Sequence, residues 1–182
     1  MLRLRIAVVA AGIAAGSVAA ASSAHAACRG ADIMPSRANA AKASRATLCL
    51  LNAERRAHGL EKLRTNGRLR HAATGYARFM VKRDFFAHEG PGGSTPLSRI
   101  RRTRYLHGAR AWAIGENLAW GTGSFATPRS TVQAWMHSPG HRANILNGSF
   151  REIGIGIANG APVSLGAATA GATYATDFGF RG

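Results

Sequence analysis

The hydrophobic period changes along this chain, and the change limits the folds open to it. Leu69, Ala72, Ala73, Tyr76, Phe79 and Met80 fall at i, i+3, i+4, i+7, i+10 and i+11, one apolar stripe of a helix, with Arg68, Arg70, Arg78 and Lys82 off it. Near the end the period drops to two. Ile153, Ile155 and Ile157 alternate with glycines, and Tyr174, Thr176, Phe178 and Phe180 alternate likewise, which predicts two antiparallel strands joined by a Gly/Ala-rich loop. Between and before them the signals are mostly helical. Leu48, Leu51 and Arg55 keep helical spacing from Ser44 until Gly59, and Ser94 or Thr95 caps a short helix with Pro96 in its first turn. An extended segment over 112–120 precedes a helix from about Pro128 to His137, and Ser138-Pro139-Gly140 separates that helix from a shorter one over 141–146. Helices before and among strands, with no βαβ alternation, indicate an α+β fold.

Residues 1–26 read as a secretory signal peptide. Arg3 and Arg5 give a positive start, Ile6 to Ala21 run apolar without a charge, and Ala24-His25-Ala26 offers small residues for cleavage. The run is rich in Ala and Gly and shorter than the roughly 20 residues of a membrane-spanning helix. A lipid anchor on Cys28 competes with plain secretion, but His25-Ala26-Ala27 lacks a large apolar residue three before the cysteine. The expected organisation is a signal peptide over 1–26, an irregular leader over 27–43 containing Pro35, and one domain over 44–182.

Charge and cysteines narrow the setting. The chain carries 24 Lys+Arg against 8 Asp+Glu, and the signal peptide would remove only Arg3 and Arg5 from that excess. Arg99, Arg101, Arg102 and Arg104 crowd one short stretch. Such a surface favours an anionic envelope polymer or lipid, or serves solubility alone. No nucleic-acid recognition motif accompanies it. Cys28 and Cys49 most simply form one disulfide in an oxidising compartment, tethering the leader to the first helix; two free thiols are the alternative.

Most catalytic signatures fail. His88-Glu89 runs into Gly90-Pro91 and not toward a second helical histidine, and no nucleophile elbow, phosphate loop or Cys-x-x-Cys is present. Gly154-Ile155-Gly156 lacks the third glycine of a dinucleotide loop and reads as close packing in a sheet. Five ordered segments carry more. Phe85-Phe86-Ala87-His88, Gly115-Glu116-Asn117-Leu118-Ala119, Trp135 through Leu146, Glu152-Ile153-Gly154-Ile155-Gly156 and Phe178-Gly179 resemble the CAP superfamily of cysteine-rich secretory, antigen 5 and pathogenesis-related 1 proteins. Leu51-Asn52-Ala53-Glu54-Arg55 and Gly59-Leu60 fit its first helix. The resemblance covers about residues 45–180, and Ser138-Pro139-Gly140-His141-Arg142 has the form of its bacterial secreted branch.

That resemblance implies an α-β-α sandwich with a small antiparallel sheet between helical layers. It also implies a cavity lined by two histidines and two acids, matched here by His88, Glu116 and His141. The second acid, expected three residues after Trp135, is replaced by Ser138. Two imidazoles can hold a weak divalent site, so His88 and His141 are candidate ligands for zinc. Glu116 as general base would then make a metal-dependent, peptidase-like hydrolase. The other reading is a binding module for an envelope, lipid or partner ligand, with Glu116 cross-linking segments by hydrogen bonds. A scaffold that only stabilises other envelope proteins is a third. His58, His71, His107 and His137 read as surface or packing residues, and Trp112, Trp120 and Trp135 as core or cavity-wall aromatics.

Overall fold

The computed structural model describes residues 28–163 and 170–182. The signal-peptide reading over 1–26 and the middle of the Gly/Ala-rich loop lie outside them. The elements are α1 (Ala40–Ala57), β1 (Arg64–Thr65), α2 (Gly67–Lys82), α3 (Pro96–Arg102), β2 (Trp112–Thr122), a 3-10 turn (Gly123–Ala126), α4 (Pro128–His137), α5 (Pro139–Ile145), β3 (Glu152–Asn159) and β4 (Gly171–Arg181). Helix starts follow local chemistry. Asn66 caps α2 by accepting from the Arg68 and Leu69 amides, while Thr95 and Thr127 cap α3 and α4, each with proline at the first helical position. Helix α1 begins at Ala40, not Ser44, because the run Ala40-Ala41-Lys42-Ala43 holds good helix formers and no breaker. Pro139 and Gly140 end α4 but belong to the first turn of α5, where proline lacks only a donor the turn would leave unused.

The sheet order is β1-β3-β4-β2, with β4 antiparallel to both β3 and β2, and β1 joining β3 in parallel for two residue pairs. Its two faces are built differently. On one, Ile153, Ile155, Ile157, Tyr174 and Phe178 pack with Leu50, Leu51, Trp135 and Ile145 of α1, α4 and α5. On the other, Gly154 and Gly156 let α2 settle onto the backbone of β3. A Cβ on Gly154 would lie 2.0 Å from the Leu69 carbonyl carbon, and one on Gly156 2.3 Å from the Thr74 nitrogen. The stripe Leu69, Ala72, Ala73, Tyr76 and Met80 is the buried side of α2, as its period predicts. The result is an α-β-α sandwich.

Two links hold the periphery. The Cys28–Cys49 disulfide ties the leader to α1, and Arg129 of α4 clasps the same segment through the Asp32 carboxylate and the Ala31 carbonyl. Arg55 sits fully buried on the inner side of α1. Its guanidinium donates to the carbonyls of Glu61, Ile145, Asn147 and Phe150, so a charge at an apparently apolar helical position is satisfied by main-chain acceptors around the end of α5.

Candidate functional site

The Gly115-Glu116-Asn117 run lies in edge strand β2, where alternation sends Glu116 to the α2/α3 face and Asn117 to the other. Asn117 donates to the His141 carbonyl, and Asn144 of α5 donates both to the Asn117 side chain and to the Glu116 carbonyl. Gly115 leaves room for that arrangement, since a Cβ there would meet Asn144 Oδ1 at 2.9 Å and the Phe150 ring at 3.0 Å. The tripeptide thus locks α5 to the edge of the sheet while its carboxylate points the opposite way.

That carboxylate is fully engaged. Glu116 Oε1 stands 2.8 Å from His88 Nδ1, and Oε2 accepts from Arg99 at 2.6 Å. Arg99 also donates to the Ser94 and His88 carbonyls, and its guanidinium lies 3.3 Å over the Tyr76 ring. The Tyr76 hydroxyl donates to the Ala87 and His88 carbonyls, fixing the loop that presents His88. Beneath them Asp177 of β4 faces Glu116 across the ladder, buried, with neither carboxyl oxygen hydrogen-bonded among the described residues. Burial, followed by the charge of Glu116, pushes the Asp177 carboxyl well above the usual carboxylate range, with Arg99 opposing.

The structure therefore joins His88 to Glu116. His141 is half-buried beside Trp135, at 6.5 Å between ring centres, and makes no hydrogen bond to Glu116 among the described residues. Burial holds its imidazole below the ordinary histidine value, and the charge of His88 adds to that, so the two rings are within electrostatic reach. Ser138 marks the boundary of α4 and α5, and its side chain caps neither. His58, His71, His107 and His137 are exposed.

Two expectations need correction. Arg99 is not part of a basic surface but a buried partner of Glu116, and nothing in the local pattern of α3 signals it. Trp112 and Trp120 are 43 % and 38 % exposed because they lie toward the ends of edge strand β2, leaving Trp135 as the buried tryptophan, its Nε1 donating to the Leu118 carbonyl. A groove of about 540 Å³ lies beside the cluster and shares Tyr76 and Arg99 with it.

The donor set does not suit zinc at Glu116. A guanidinium already neutralises the carboxylate, and a divalent cation beside it would face a fixed positive charge. Among the described residues no three His, Cys, Asp or Glu side chains converge as a metal site.

The layered fold, a small sheet between helical layers, is that of a CAP-type domain. A model of the cysteine-rich secretory protein family matches residues 48–169, and this chain belongs to that family. It is 36% identical over 107 residues to the uncharacterized protein YkwD of Bacillus subtilis, a match covering 59% of this chain and 39% of that protein. An extracellular protein of Bacillus anthracis containing an SCP domain superposes with a TM-score of 0.63 at 23% identity, covering 79% of this chain and 43% of the other. An outer surface protein of Borrelia burgdorferi gives 0.58 at 23% identity, covering 72% of this chain and 87% of the other. The chain thus spans about two fifths of the curated relative and of the first of these structures.

Proposed function

We propose that this chain is an exported binding protein whose basic surface engages a phosphate-rich anionic component of the cell envelope, while buried Glu116 and Arg99, with the exposed His88 ring at their outer end, form a brace. The observation that carries the reading is the charge: 24 Lys+Arg against 8 Asp+Glu, 22 against 8 without residues 1–26, with only Arg55 and Arg99 of the described bases buried. The signal-like sequence of residues 1–26 and the Cys28–Cys49 disulfide support export. Both oxygens of Glu116 being committed to His88 and Arg99 weighs against its serving as a general base, and so against a hydrolase.

Co-sedimentation tests the proposal, with a phosphodiester wall polymer and phosphatidylglycerol vesicles as separate probes. Binding to either should weaken steeply between 50 mM and 500 mM salt, and the arm that binds names the source of the phosphate. Equal retention on neutral polymer and neutral vesicles would discard the electrostatic reading.

A further inference from the structure

The two outer edges of the sheet are finished differently. On β2, Trp135 Nε1 donates to the Leu118 carbonyl and Asn144 to the Glu116 carbonyl, so side chains of α4 and α5 occupy that edge. On β3 the outward residues are the odd ones: the Gly160 amide donates to Gly171 on the β4 side, whereas the Ile153 carbonyl accepts from Asn66 on the β1 side. Strand β1 covers this edge only at Glu152 and Ile153. Past it, Ile155 and Ile157 turn their N–H and C=O groups outward. The one described side chain bonded there is Ser44, whose Oγ is a long 3.5 Å from the Ile155 carbonyl. An edge left open in this way is a template for another strand.

The open edge lies in a groove. Two adjoining hollows of about 490 and 600 Å³, sharing Ala40, Arg78 and Ile157, run along β3 between α1 and α2. The floor is Ile153, Ile155 and Ile157, with Leu48 on the α1 wall. The rim carries Arg37 and Arg45 near α1 and Arg70, Arg78 and Lys82 on α2, all exposed. No acidic side chain lines either hollow, and none of these five cations forms an ion pair among the described residues.

We propose that this groove takes an extended acidic segment of a partner protein, which pairs with residues 155–159 as an added strand. A backbone is the occupant because N–H and C=O groups repeating every second residue are matched by another strand, not by an acyl chain or a sugar-phosphate polymer. The edge is on the order of 15 Å long, room for about five residues. Its two walls set a pattern: apolar side chains toward α1 and the isoleucine floor, carboxylates toward Arg70, Arg78 and Lys82. This goes beyond envelope-polymer binding and does not depend on it, since the two are tested with different probes.

The test is calorimetry and amide exchange on the purified protein with a capped seven-residue peptide alternating valine and glutamate. The peptide should bind and slow exchange at Ile155 and Ile157. Of two versions N-methylated on alternate residues, the one methylated on the pairing residues should lose at least tenfold in affinity and the other should not. Arg70→Glu with Arg78→Glu should also weaken binding at least tenfold. No binding, binding that leaves those two amides unprotected, or equal affinity of the methylated pair overturns the proposal. Protection of the same amides by phosphatidylglycerol vesicles and not by the peptide would reassign the groove to lipid and overturn it as well.

Discussion

Arg99 and Glu116 meet at 2.6 Å with their side chains only 6% and 2% exposed, and the arginine is sandwiched against the Tyr76 ring. A buried pair of this kind joins α3 to β2, and through the His88 carbonyl it also holds the loop after α2. Its loss is costly mainly because the surviving partner keeps an uncompensated charge. Arg99→Met should lower the unfolding free energy by about 3 kcal/mol. Adding Glu116→Gln to that variant should restore part of the loss, giving a coupling energy of at least about 1 kcal/mol in urea unfolding. Strict additivity of the two changes would show that the contact does not couple the elements.

Asp177 supplies a pH dependence of known sign. Its carboxyl is raised by burial and by Glu116, so the folded chain retains a proton that the unfolded chain has released. Its contribution to stability is therefore fully present below about pH 4 and is lost as pH rises through the folded value. Asp177→Asn removes that titration. The stability of the variant relative to wild type should grow between pH 4 and pH 8, as followed by thermal melts at each pH. A difference that stays constant across the range contradicts the assignment.

Glycines on this scaffold should divide by surroundings. Gly154 has no room for a methyl group, since the α2 backbone occupies that space, whereas a Cβ added to Gly75 in the middle of α2 would meet no neighbour within 4 Å. Gly154→Ala must separate α2 from β3 and should cost about 3 kcal/mol or prevent folding. Gly75→Ala gains helix propensity and should stabilise by about 0.8 kcal/mol. Denaturant midpoints of the two variants check both directions.

The parts of the fold set by repeating pattern were legible in the sequence. The α2 stripe, the alternation in β3 and β4, and the proline-marked starts of α3 and α4 each follow from local chemistry, and each is present. What escaped depends on contacts between distant segments. Arg99 looks like a surface cation and Arg55 only keeps the helical spacing of Leu48 and Leu51, because single-sequence patterns carry no information about the carbonyls and carboxylate that satisfy them from up to 95 residues away. Trp112 and Trp120 failed for a related reason: a large aromatic on a strand is buried only if a layer covers it, and position on the edge is a property of topology. His88 and Glu116 were paired through family resemblance, and their geometry brings in the arginine that the resemblance did not supply.

That arginine governs the zinc question. His88 and His141 remain two candidate ligands, but Glu116 cannot join them while Arg99 holds one of its oxygens and His88 Nδ1 faces the other. Wild-type protein should accordingly bind zinc weakly or not at all in calorimetric titration. Arg99→Met removes the competing charge and releases Glu116 Oε2, so zinc affinity should rise at least tenfold. Combining it with His88→Ala and His141→Ala should abolish that gain, separating a histidine-based site from nonspecific binding to surface carboxylates. Circular dichroism of the Arg99→Met protein guards against reading unfolding as loss of a site. If wild type binds zinc tightly and Arg99→Met leaves the affinity unchanged, the ion pair is not what closes this site to metal.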